Sequence, residues 1–96
     1  MSSSRRRLKL PDETAGVIRS LHPQLKRKVR AAFKLILDDP LSGKALKDEL
    51  FGLRSFRVAG FRIVYRAAGQ DVIEIIAFGP RKTIYEETFI LVRKGK

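Results

Sequence analysis

Three arginines and a tyrosine in the second half of the chain have the types and spacing to act on a phosphate. Arg57 and Arg62 flank Ala59-Gly60, a turn dipeptide between two stretches that alternate apolar and polar residues. Read as a two-residue hairpin loop, this turn sets Val58 against Phe61 and Arg57 directly against Arg62 on one face of a sheet. Like charges so placed repel each other. A third strand after the turn Ala68-Gly69-Gln70-Asp71, with Ala67 opposite Val72, pairs Arg62 with the small Ala77, and Arg81 shares the parity of Ala77. Three guanidiniums from three chain segments then converge on one face, together with Val64, Ile73 and Ile75. Guanidiniums stay charged at any working pH and grip phosphate with a bidentate fork. A self-repelling cluster of them makes sense around a phosphate or its transition state, each donor contributing about 3 kcal/mol by analogy with oxyanion donors. Tyr85 follows Arg81 by four residues, so on a helical turn it shares that face as a proton acceptor or a base-stacking ring. The competing reading is three surface arginines pairing with Glu74 or Glu87, beside a half-buried tyrosine.

The elements that must position these groups follow from periodicity. Residues 6–10 alternate weakly, as a short edge strand does. Pro11-Asp12-Glu13 opens a helix, with acidic residues where the dipole favours them, and Ala15, Ile18 and Leu21 continue it to His22-Pro23. Leu25, Val29, Ala32, Phe33 and Ile36 form the apolar stripe of a second helix that Asp38-Asp39-Pro40 ends. Lys26, Arg27, Arg30 and Lys34 occupy its other side. That stripe is either a solvated face or a contact for RNA. So short a connection folds the two helices into a hairpin. Residues 41–53 read as a connector. The period then changes to two for three strands, the last of them, residues 72–78, apolar on both faces apart from Glu74 and so covered on both sides. Residues 83–96 are ambiguous, because Glu86-Glu87 suits a helix whereas residues 89–92 suit a strand. The expected class is α+β: an N-terminal strand and a helical hairpin on a mainly antiparallel three- to four-stranded sheet, with a short C-terminal element.

Composition narrows the chemistry. The chain has 96 residues with 21 Lys+Arg against 10 Asp+Glu, a formal charge of +11. That length fits one domain over residues 1–96, with residues 1–4 as a frayed tail. The absence of Cys and a single His exclude a disulfide scaffold, a thiol nucleophile and the usual zinc sites. No cofactor or metal is expected. No apolar run is long enough to span a bilayer, and residues 1–10 lack the apolar core of a secretory signal. A cytoplasmic protein with an anionic partner is expected, nucleic acid being the commonest.

The stretch that holds the arginine pair also resembles a known family. Residues 46–65, from Leu46-Lys47 through Leu50, Gly52 and Arg57-Val58 to Phe61-Arg62-Ile63-Val64-Tyr65, are similar to the L-K-x-x-L-x-G … R-V-x-x-[YF]-R-[IV]-x-Y block of the RelE/ParE superfamily of type II toxin–antitoxin toxins. Arg81 and Tyr85 resemble its closing R-x-x-x-Y. For the RelE branch, the resemblance implies a ribosome-dependent endonuclease that cuts mRNA by metal-independent attack of the substrate's 2′-hydroxyl. Arg57, Arg62 and Arg81 would then face the scissile phosphate, and Tyr85 would orient the base or accept the proton. The chain departs from the family in three places. Pro80 stands where some members have His before the last arginine, Leu53-Arg54-Ser55 replaces a lysine-bearing strand, and Lys44-Ala45 lies where others place Glu. Lys44, Lys47 and Arg54 are the basic residues placed to substitute in RNA binding. The resemblance further implies an acidic cognate antitoxin, and mRNA and the ribosome as partners. The same departures suit the ParE branch, which poisons DNA gyrase without a nuclease site, or an inactive basic relative that only binds nucleic acid.

Overall fold

The structure is a computed structural model that describes residues 6–80 and 83–94. The tail of residues 1–4, Arg81 and the Glu87 side chain lie outside the described residues. The elements run β1 (Arg7–Lys9), α1 (Asp12–Arg19), α2 (Pro23–Asp38), β2 (Lys44–Ala45), β3 (Arg54–Val58), β4 (Phe61–Ala67), β5 (Val72–Pro80) and α3 (Ile84–Lys94). The fold is α+β, as its alternating and helical periods predict. Its sheet has five strands in the order β1-β5-β4-β3-β2, one more than the sequence pattern reveals. The added strand, β2, is two residues long and pairs antiparallel with β3. β1 pairs parallel with β5 along Arg7–Lys9, so the sheet is mixed.

The helical hairpin starts where the sequence places it. Asp12 and Glu13 occupy the first turn of α1. Pro23 sits in the first turn of α2, and His22 caps that helix by accepting a hydrogen bond from the Gln24 N–H at 3.2 Å. The chain's single histidine is therefore a helix cap. Val29, Ala32 and Ile36 are buried against Val58, Ile63, Tyr65, Ile73 and Ile75, and this forms the larger core on one face of the sheet. The C-terminal element resolves as the helix α3. Its Ile84 packs with Leu53, Val64 and Ala77 into a smaller core on the other face. β5 is thus covered on both sides, the reason for its nearly continuous apolar sequence. Among the described residues no helix is long and apolar enough to cross a membrane.

The register of β5 differs from the expected one in an instructive way. Ala67 lies opposite Ile73 rather than Val72, and a bulge between Val64 and Tyr65 adds a second one-residue shift. Arg62 therefore sits opposite Gly79, not Ala77. A bulge residue switches the strand's facing, so Ile73 and Ile75 point to the helical hairpin while Ala77 and Gly79 share the α3 face with Val64. Ile73 and Ile75 thus leave the arginine face to which the alternating pattern assigns them.

Candidate functional site

The site is built on the α3 face of β3, β4 and β5. Ala59 takes a φ of 55° at the tight turn, and Val58 pairs with Phe61 and Arg57 with Arg62 across it. Directly opposite residues bring their Cβ atoms to about 5 Å, so the two guanidinium stems start side by side. Arg57 is exposed and Arg62 half-buried. The Arg62 Nε is buried without a hydrogen-bond acceptor among the described residues. Neither arginine makes a hydrogen bond or ion pair among the described residues. Of the two carboxylates in the competing reading, Glu74 is instead 2.9 Å from Arg66, and the Glu87 side chain lies outside the described residues. On its other side Arg62 meets Gly79, which offers backbone and no side chain.

One row further along the same face lies Ser55, paired with Val64, which pairs in turn with Ala77. Rows of one face repeat about every 7 Å. The Tyr85 hydroxyl donates to Ser55 Oγ at 3.1 Å, which fixes the phenol one row from the arginine pair. Tyr85 has a second aspect. With Lys44, Ala45, Leu46, Lys47, Asp48 and Leu50 it lines a cleft of about 370 Å³ between the β2 edge and α3. Lys44, Lys47 and Tyr85 therefore meet around one hollow.

The remaining basic candidates stand elsewhere. Arg54 is on the opposite face of β3 from Arg57, and its Nη1 donates to the carbonyls of Gly43 at 2.6 Å and Leu41 at 3.3 Å. It clamps the loop ahead of β2. Tyr65 clamps the same loop from below, since its hydroxyl donates to the Pro40 carbonyl at 2.8 Å and accepts from the Gly43 N–H at 2.9 Å. Burial pushes the Tyr65 phenol above its ordinary range, against the opposing pull of the Gly43 hydrogen bond. Lys26, Arg27, Arg30 and Lys34 project from α2, in the layer on the far side of the sheet. Arg27, Arg30 and Lys34 are exposed and Lys26 half-buried. The structure thus gathers Arg57, Arg62 and Tyr85 on one face and Lys44 and Lys47 beside Tyr85, and sets Arg54 and the α2 stripe apart. No group of three or more His, Asp or Glu suited to a metal ion occurs among the described residues.

Residues 6–85 match the family described as the ParE toxin of the type II toxin–antitoxin system parDE. The chain belongs to the RelE/ParE family of type II toxins. Among solved structures, it is similar to the RelBE2 toxin–antitoxin complex of Mycobacterium tuberculosis at 25% identity and a TM-score of 0.68, over 79% of this chain and 98% of that one. An arginine double mutant of Escherichia coli RelE in the free state has the same fold at 17% identity and a TM-score of 0.69, covering 93% of this chain and 95% of that one. YafQ of E. coli follows at 12% identity and a TM-score of 0.62, over 82% and 97% of the two chains. No curated protein matches the sequence.

In this toxin two residues at the site escape a reading by type and spacing. Ser55, which holds Tyr85, is 2% exposed; only the alternation that buries Leu53 and Ser55 together signals it. Gly79 reads as a strand terminator, and the register alone reveals that it flanks Arg62.

Proposed function

We propose that the toxin is a ribosome-dependent mRNA interferase that cleaves without a metal, in the cytoplasm, and is held in check by an acidic antitoxin. The observation that carries this reading is the Arg57–Arg62 pair: two facing guanidiniums without partners among the described residues, one with a buried free N–H, on the face that carries Tyr85. Such donors suit a phosphate that gains negative charge in its transition state. Arg81, which the family resemblance brings in, is the third donor in this proposal. In the reaction the ribose 2′-oxygen passes its proton to water held at the Tyr85 hydroxyl and bonds to phosphorus. The P–O5′ bond breaks and the departing 5′-oxygen takes a proton from water. A 2′,3′-cyclic phosphate and a 5′-hydroxyl remain. Loss of one guanidinium donor is expected to lower the rate roughly a hundredfold or more. The RelBE complexes from M. tuberculosis and Pyrococcus horikoshii, both similar in fold, support a RelB-like antitoxin as partner, and a chain of charge +11 suits an acidic one.

A second reading, a gyrase poison without chemistry, draws on the ParE description of the family and on the start of β3, where buried Leu53, just ahead of the strand, and buried Ser55 stand in place of a lysine-bearing segment. Induction in growing cells, with RNA integrity and plasmid supercoiling followed in parallel, separates the two. Growth arrest with fragmented mRNA and normal supercoiling supports the interferase. Arrest with intact mRNA and altered supercoiling overturns it in favour of the gyrase reading.

A further inference from the structure

We propose that Phe51 is a stacking platform for an unpaired nucleobase, and that the adjoining cleft receives the phosphates of the same single strand. Phe51 is 84% exposed, the most exposed large apolar side chain among the described residues. Its backbone is built to hold it there. Asp48 has a φ of 56° and Gly52 a φ of 96°, left-handed conformations that a short polar residue and glycine tolerate best. Between them the Phe51 N–H donates to the Asp48 carbonyl at 3.0 Å, the Leu50 N–H to that of Lys47 at 3.0 Å and the Leu53 N–H to that of Leu50 at 3.1 Å. The loop thus turns Leu50 into the core beneath α3 and Phe51 out into water.

The surroundings of the ring decide what it meets. Its chain neighbours Lys47, Asp48 and Glu49 are exposed and charged, so within its own loop the ring is the one exposed apolar side chain and not part of an apolar run of the kind a protein interface favours. A nucleobase needs only one π-face, and aromatic rings interleaved with cations are the usual platform for single strands. Leu50, next to Phe51 in the chain, lines the cleft together with Lys44, Lys47 and Tyr85. Asp48 also lines it, which directs phosphates to the lysine side. A strand laid from Phe51 across the lysines reaches Tyr85, and through Ser55 the arginine face. This inference rests on the interferase reading for the kind of strand bound.

The chain contains no Trp, so Phe51→Trp supplies a single fluorescent reporter at the platform. Titration with an unstructured mixed-sequence oligoribonucleotide is expected to quench its emission saturably, and inorganic polyphosphate of equal charge is expected not to. By fluorescence anisotropy, Phe51→Ala should weaken oligoribonucleotide binding roughly 5- to 150-fold with its salt dependence intact. Lys44→Ala with Lys47→Ala should instead reduce the slope of log affinity against log salt by about 1.4. Thermal melts of each variant, matched to the parent, establish that these exposed substitutions leave the fold alone. Emission indifferent to RNA, equal quenching by polyphosphate, or a Phe51→Ala variant that binds RNA as the parent does, overturns the proposal. A fluorescence response to an acidic antitoxin but not to RNA overturns it too and assigns the ring to a protein. Quenching by RNA in a toxin that leaves mRNA whole refutes the interferase reading and keeps this one; cleavage without quenching does the reverse.

Discussion

Arg62→Met should make the toxin more stable while removing its activity. Arg62 faces Arg57 across the β3–β4 ladder, and a like-charged pair in that position costs a few tenths to about 1 kcal/mol. Its Nε is buried without an acceptor among the described residues, and an unsatisfied buried donor costs about 1–3 kcal/mol. Because the side chain is half-exposed and the repulsion is screened by salt, the sum lies near about 1–2 kcal/mol. Met keeps the unbranched stem against its neighbours and discards both the charge and the donor. In a domain of this size, each kcal/mol moves the melting temperature by about 4–8 °C. A rise of about 4–16 °C in low-salt buffer is therefore expected by circular dichroism. Arg57→Met should give a smaller rise, since it removes the repulsion but leaves the Arg62 donor unsatisfied. Dilute sulfate, compared with chloride at equal ionic strength so that screening and general salting effects cancel, should narrow the gap between the parent and Arg62→Met, because an anion held between the guanidiniums stabilises the parent alone. A fall in melting temperature on Arg62→Met, of the size seen for a lost ion pair, would refute the reasoning, because it would mean the folded chain already satisfies this guanidinium.

Two further outcomes concern the loop that holds the cleft's edge. Tyr65→Phe leaves the Gly43 N–H and the Pro40 carbonyl without their shared partner, so a loss of about 1–3 kcal/mol is expected in urea unfolding at neutral pH. Burial raises the Tyr65 phenol above the 10.0 of a free tyrosine. Its contribution is therefore complete below pH about 10, where the unfolded chain still holds the proton, and is lost as pH climbs through the folded value. The stability gap between parent and Tyr65→Phe should shrink above pH 10, and a gap that widens there contradicts the assignment. At Gly43 an added Cβ would stand 2.5 Å from the Tyr65 hydroxyl and 3.0 Å from the Ser55 carbonyl oxygen. Gly43→Ala should cost about 1–3 kcal/mol through overpacking, checked by the same unfolding curves, and a neutral result would show that the loop yields freely.

Much of this architecture was legible because its signals are local. The change of period after Gly52 marks the strands, and the Ala59-Gly60 turn fixes the Arg57–Arg62 pairing that β3 and β4 adopt. What escaped depends on contacts between distant segments. β2 is two residues long, too short to show alternation, and exists because Lys44 and Ala45 complete the edge of β3. The bulge in β5 leaves no mark in an apolar run where both faces are covered. α3 hides its helical stripe because Thr88 interrupts it: Ile84 and Thr88 are both fully buried, and the threonine is accommodated by donating its hydroxyl to the Ile84 carbonyl at 2.7 Å. The place of Tyr85 was expected from its spacing to Arg81, which lies outside the described residues. The facing of Arg57 and Arg62 was readable by parity, since their pairing depends on the two-residue turn alone. The separation of Arg54 was not. A strand residue three positions from Arg57 must point the other way, but its capture by the Gly43 carbonyl requires the fold.

The central claim is that the facing guanidiniums act on the phosphate of a message. Primer extension on a defined mRNA, translated by purified ribosomes in the presence of the toxin, tests it most directly when Arg57→Ala, Arg62→Ala and the parent are compared. The account predicts discrete cuts within codons for the parent, fragments ending in a cyclic phosphate, and rates lower by roughly a hundredfold or more for each variant. Cutting at the parental rate by both variants would contradict it.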